Sequence, residues 1–267
     1  MNELRIAFRG TSVVLRSDAA EVMTAFGRRF QNLDDGHRST PVATLEVAHG
    51  AVGGYRCRDN AGDSHDARSL DGAVRWATYQ ALEHLILARG DLIWFHGAAV
   101  GAGGRAVVLP GRRGRGKSTL SRALWERGAS FLTDDVLPID PSTRQVLPFP
   151  QLPAVRTDPG KDLDDAALAH VPKEEVDVNV RVERSALPIG ALVLPAYQRG
   201  AVTRLLPCSP GEAALALLEG CWNLELHREA AAGCVASITP GLPACRLQFS
   251  EPESATGALW EWISDRL

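Results

Sequence analysis

The segment Gly111-Arg112-Arg113-Gly114-Arg115-Gly116-Lys117-Ser118 constrains this chain more than any other, because that spacing of glycines, lysine and serine specifies both a loop and its flanks. The apolar run Ala106-Val107-Val108-Leu109 precedes it and an amphipathic stretch from Lys117 to Arg127 follows, so the local reading is strand, loop, helix. Glycines let backbone N–H groups close around an anion, and the helix that begins at Lys117 points its positive dipole end at the same place. Lys117 adds a mobile ammonium and Ser118 a hydroxyl suited to magnesium. Gly111, Arg112, Arg113, Gly114, Arg115, Gly116, Lys117, Ser118 and Thr119 are therefore the expected nucleotide-binding residues, with ATP and Mg2+ as the expected ligands. Of the three lysines in the chain, Lys117, Lys161 and Lys173, one falls in this loop.

The pattern along the chain predicts two parts. In residues 1–90, strand-like runs at Leu4 to Phe8 and Ser12 to Leu15 lead to a helix from Asp18 to Phe30 with Asp18 as its N-cap. A strand from Val42 to Val47, a Gly/Arg/Asp-rich stretch from Gly53 to Arg68 and a helix from Asp71 to Ala88 complete a smaller α+β region that Gly90 closes. From residue 91 the pattern changes to short apolar runs, Leu92 to Phe95, Ala98 to Val100 and Arg105 to Leu109, which read as buried strands. Further strands are expected at Phe131-Leu132, Ile189 to Leu194, Val202 to Leu206 and Cys245 to Phe249. Helices are expected from Pro210 to Leu218 and Glu253 to Trp262, and the acidic run Asp158 to Glu175 reads as a solvated loop.

Asp134 and Asp135 close the run Phe131-Leu132, where a parallel strand would deliver two carboxylates beside the loop. One can hold magnesium while the other accepts a hydroxyl proton, a division that suits transfer of phosphate to an alcohol. Adjacent acids also occur as a plain turn, and His96, which ends the run Leu92 to Phe95, also suits a core position. Arg156 is a candidate cis-acting arginine for the transferred group, whereas Trp222 and Arg228 read as packing and surface residues.

His96-Gly97, the loop Gly111 to Ser118 and Thr133-Asp134-Asp135, in this order and spacing, resemble the catalytic core of the HPr kinase/phosphorylase family, which is related to the nucleotide domain of phosphoenolpyruvate carboxykinase. The resemblance covers roughly His96 to Val136. It implies an α/β P-loop kinase core of that type over residues 91–267, with Asp134 as base toward a serine hydroxyl, His96 assisting it, and Asp135 beside Ser118 on the metal side. It also implies a ring-like homo-oligomer. The family's glutamate and Gly-rich segment after the aspartates is absent, Phe149 to Arg156 standing there instead, so neither phosphorolysis nor HPr itself as acceptor is carried over. The nearer likeness is to HPr-kinase-related proteins of peptide-modification gene clusters, some of which phosphorylate a serine of a lasso-peptide precursor.

A net charge of −3 gives no general signature of nucleic-acid binding, and no apolar run reaches membrane-spanning length, so the expected setting is the cytoplasm. Five cysteines without a C-x-x-C pair imply reduced thiols. The leading expectation is an ATP-dependent kinase whose partner is a protein or peptide presenting a serine hydroxyl. A small-molecule hydroxyl kinase and a nucleotide-switched binding module are the alternatives, and the second alternative has no need of a positioned base.

Overall fold

A computed structural model describes residues 1–33, 39–112, 114–156 and 173–267, apart from the side chains of residues 155, 156 and 173. The chain is mixed α/β and divides into two compact units, Met1–Gly90 and Asp91–Leu267.

The first unit carries one sheet in the order β1-β2-β3-β4-β5, made of Asn2–Phe8, Thr11–Ser17, Thr40–His49, Tyr55–Asp59 and Ser64–Ala67. Arg9 and Gly10, at φ 50° and 82°, make the two-residue turn of the β1–β2 hairpin. The Gly/Arg/Asp-rich stretch is not an open loop: its middle pairs as the β4–β5 hairpin. Helices α1 (Ala20–Arg29) and α2 (Leu70–Ala88) bury Val22, Phe26, Ala77, Ala81 and Leu85. The N-cap of α1 is Ala19 and not Asp18, because the Asp18 carboxylate instead accepts from the backbone N–H of His49 at 3.1 Å. Ser69 caps α2 by accepting from Gly72 N at 3.2 Å.

The second unit is built on β6 (Ile93–Ala102) and β7 (Arg105–Pro110). The two short runs expected at Leu92 and Ala98 are one strand, since Gly97 between them pairs with Pro110 and carries the ladder through; a Cβ there would be tight, 3.2 Å from the Leu109 carbonyl. Strand β6 is antiparallel to β7 on one side and, on the other, to β8 (Ser130–Thr133) and β9 (Val136–Asp140). Strands β7 and β8 therefore point the same way, with β6 between them. Beyond β7, strands β13 (Leu187–Tyr197) and β15 (Ala244–Phe249) continue in parallel, and β14 (Arg204–Pro207) closes that edge antiparallel. The short β10 (Gln145–Val146) pairs with β9 and β13, while β11 (Ala154–Arg156) and β12 (Lys173–Glu175) pair with each other.

Both faces of this sheet are buried, and alternation along each strand feeds two cores. On β7, Val107 and Leu109 join Leu120 and Leu124 of α3 (Lys117–Glu126) and Leu259 and Ile263 of α6 (Pro252–Ser264). Ala106 and Val108 face the other way, toward Ala213 and Leu217 of α4 (Pro210–Glu219) and Val235 and Ile238 of α5 (Arg228–Ile238). Helix α5 was not anticipated, because its run Arg-Glu-Ala-Ala-Ala-Gly-Cys-Val-Ala-Ser-Ile has too few large apolar residues to announce a periodic face.

Helix α4 starts with a capping box: Ser209 Oγ accepts from Glu212 N at 3.3 Å, and the Glu212 carboxylate accepts from Ser209 N at 2.9 Å. Because α4 delivers Gly220 to the backbone of His96, that cap supports the site described next. Ser209→Ala is expected to lower the stability of the second unit by about 1 kcal/mol, read as a shifted urea midpoint at unchanged slope. A midpoint identical to wild type would show that α4 is held by packing alone.

Candidate functional site

Three glycines with left-handed backbones shape the connection from β7 to α3: Gly111 at φ 132°, Gly114 at 78° and Gly116 at 90°. Gly116 is also the N-cap of α3, and a Cβ there would fall 2.6 Å from the Phe249 ring at the end of β15. The sheet thus presses on the loop, and only glycine fits both the torsion and the space. Gly111, Gly114, Gly116, Lys117, Ser118 and Thr119 lie together as expected; Arg113 lies outside the described residues.

Lys117 is 5% exposed, and its ammonium sits 2.9 Å from the Arg112 carbonyl and 3.0 Å from His96 Nε2. An ammonium can only donate, so Nε2 accepts and the imidazole proton is on Nδ1, which reaches the Asp135 carbonyl at 3.2 Å. The Gly97 N–H donates to the same carbonyl at 3.4 Å. His96 is therefore oriented from both sides and ties the loop lysine to the acidic turn.

That turn separates the two carboxylates. Asp135 adopts φ 68°, a left-handed conformation that a short polar side chain tolerates, and a bond from the Thr133 hydroxyl to the Val136 carbonyl pins the bend. As a result Asp134 points inward at 1% exposure, where its Oδ1 accepts from the Ser118 hydroxyl at 3.1 Å. Asp135 points outward with 26% side-chain exposure, its Oδ1 3.9 Å from His96 Nδ1. The resemblance put Asp135 beside Ser118; the structure puts Asp134 there and Asp135 beside His96. The reason is the turn at Asp135, whose torsion cannot be read from the sequence.

Arg156 ends β11, and its side chain lies outside what the structure describes. Gln151, which the sequence reading passed over, is 1% exposed and donates from Nε2 to the Asp134 carbonyl at 2.9 Å, fixing the acidic turn from below. Trp222 was also passed over as a site residue. Its ring stacks on His96 with centroids 6.1 Å apart and planes 16° apart, and it is 41% exposed. No spacing signal links His96 with a tryptophan so far along the chain, which is why only the fold reveals the pair.

The loop is flanked by two recesses. One, of about 330 Å³, opens between His96, Arg112 and the segment Glu219 to Trp222. The other, of about 320 Å³, lies at the ends of β13 and β15 and is lined by Arg115, Tyr197, Gln198, Arg246 and Gln248. Paired hard oxygens at Ser118 and Asp134 fit a magnesium ion that completes its shell with phosphate and water. Among the described residues, no cluster of three or more His, Cys, Asp or Glu forms a metal site from protein ligands alone. Among the same residues, no helix is long and apolar enough to cross a membrane.

Together these elements define a mixed α/β protein with a glycine-shaped loop and a split pair of carboxylates at the same end of its sheet. No protein-family model matches the chain, and no curated protein matches it.

Gly116→Ala is expected to cost about 2 kcal/mol through torsion and the approach of Phe249. In a Phe249→Ala background the same change should cost less by more than about 0.5 kcal/mol, measured by denaturant titration of the four-member cycle. Strict additivity would show that the ring does not press on the loop.

Proposed function

We propose that this protein is an ATP-dependent kinase with a P-loop core of the HPr kinase/phosphoenolpyruvate carboxykinase type, which transfers the γ-phosphoryl group to a serine hydroxyl of a protein or peptide. A lasso-peptide precursor is one such acceptor. The observation that carries the reading is the 3.1 Å contact between Ser118 in the first turn of α3 and Asp134 in the turn after β8, which provides a hard-cation pair where a helix N-terminus meets the loop.

In this reading the backbone at Gly111, Gly114 and Gly116 faces the β- and γ-phosphates, and Lys117 leaves the Arg112 carbonyl and His96 to contact them. Ser118 and Asp134 would hold Mg2+, which would supply positive charge against the phosphate oxygens. Asp135, more exposed and next to His96, takes the acceptor proton. The acceptor oxygen forms a bond to the γ-phosphorus, the bond from that phosphorus to the β,γ-bridging oxygen breaks, and ADP leaves with the released electron pair. His96 positions Asp135 through its Nδ1–H bond to the Asp135 carbonyl. These roles for the two aspartates reverse those implied by the family resemblance, and the reason is their geometry.

The assignment separates two conservative variants. Asp134→Asn should raise the Mg2+ concentration needed for nucleotide binding by about tenfold or more, because a neutral amide binds a hard cation poorly. Asp135→Asn should keep Mg2+-dependent binding and lose transfer, since an amide cannot take the proton. Calorimetric Mg2+ titration together with single-turnover transfer distinguishes them. Metal dependence lost in Asp135→Asn and kept in Asp134→Asn would restore the opposite assignment.

A further inference from the structure

The turn that splits the two carboxylates has each of its carbonyls held by a different group. The Val136 carbonyl accepts from the Thr133 hydroxyl, and the Asp135 carbonyl accepts from the Gly97 N–H at 3.4 Å and lies 3.2 Å from His96 Nδ1. The Asp134 carbonyl accepts from Gln151 Nε2 at 2.9 Å. Two peptide planes meet at the Asp135 Cα, and φ sets how the first, which carries the Asp134 carbonyl, is turned about the N–Cα bond. Strand β6 fixes the second plane, and Gln151 fixes the first with φ at 68°. A non-glycine residue keeps such a left-handed backbone only where its surroundings hold it there.

Gln151 is well placed to do so because its own segment is anchored. Phe149 is fully buried edge-on to Trp94, with ring centroids 6.0 Å apart, and its N–H donates to the Leu132 carbonyl at 3.1 Å beside β8. The Gln151 N–H then donates to the Phe149 carbonyl at 2.9 Å, which turns the chain back on itself.

The amide of Gln151 is 1% exposed. A backbone carbonyl only accepts, so Nε2 faces Asp134, and Oε1 is left buried with no hydrogen-bond partner among the described residues. An unmet buried acceptor opposes folding, and a methionine of similar length would fill the same space without that cost. Packing alone therefore does not account for a glutamine here, whereas its bond to the acidic turn does.

Resting on the kinase reading above, we infer that Gln151 is the positioning residue of the Ser118–Asp134 cation pair. It acts through the backbone: by holding the Asp134 carbonyl it keeps Asp135 left-handed, so that Asp134 faces the Ser118 hydroxyl and Asp135 stays outside.

The test is the Mg2+ concentration that half-saturates ATP binding to the full chain, read by calorimetry, with near-ultraviolet circular dichroism as the check on folding. Gln151→Met should raise that concentration about tenfold, the lower end of what losing a partner behind a metal ligand costs in metal affinity. Asp135→Gly should leave it within about twofold of wild type, because glycine adopts the left-handed backbone unaided. Adding Gln151→Met to Asp135→Gly should then raise it by less than about threefold, since the turn no longer needs holding. A purely structural glutamine would not show this rescue. An unchanged Mg2+ requirement in folded Gln151→Met, a requirement raised by Asp135→Gly itself, or an equal rise with and without the glycine overturns the inference and leaves the kinase reading standing. Should Gln151→Met fail to fold alone, recovery of folding in the double variant supports the inference and its failure to recover overturns it. Folded wild type that binds no ATP at any Mg2+ concentration removes the kinase reading, and the positioning role with it.

Discussion

The arrangement depends on β6 being shared. On one side it pairs with β7, which runs into the loop, and on the other with β8 and β9, whose connection is the acidic turn. Two reversals of direction bring the exits of β7 and β8 to the same end of the sheet, so Ser118 and Asp134 meet although sixteen residues separate them. His96 sits on β6 itself, between the two exits, and contacts both through Lys117 and the Asp135 carbonyl. Removing the pairing of β6 would separate all four groups at once, whereas altering any one of them leaves the strand in place.

A second consequence is electrostatic. Lys117 is nearly buried, and burying an ammonium is costly unless its protons find acceptors. The Arg112 carbonyl and His96 Nε2 supply two. A phosphate oxygen is a stronger, charged acceptor than either, so in the proposed kinase the same lysine would exchange one set of bonds for the other without being stranded. Phe249 packs behind Gly116, where a Cβ would fall 2.6 Å from its ring.

Much of this was legible in the sequence, but unevenly. The loop was plain because its chemistry needs fixed residue types at fixed spacing, and the β7 and α3 flanks followed from an apolar run and a 3.6-residue pattern. The boundary of the smaller α+β part, placed at Gly90 from a change in pattern, coincides with the division between the units. What sequence could not supply was handedness and long-range placement. The left-handed Asp135 sends neighbouring carboxylates in different directions, and nothing in Thr-Asp-Asp-Val states which one faces Ser118. Trp222 and Gln151 join the site through tertiary pairing alone, and β4–β5 was hidden because a Gly- and Asp-rich run lacks the β-branched residues that mark strands.

The proposed reaction requires that the loop bind the phosphates of MgATP through Lys117. Its most direct test is calorimetric titration of MgATP into wild type and into Lys117→Ala, with near-ultraviolet circular dichroism to check that both are folded. Saturable binding to wild type is expected, with a loss of about tenfold to a hundredfold in affinity for the variant, the worth of one charge-assisted contact. No binding to folded wild type, or equal binding to the folded variant, would contradict it.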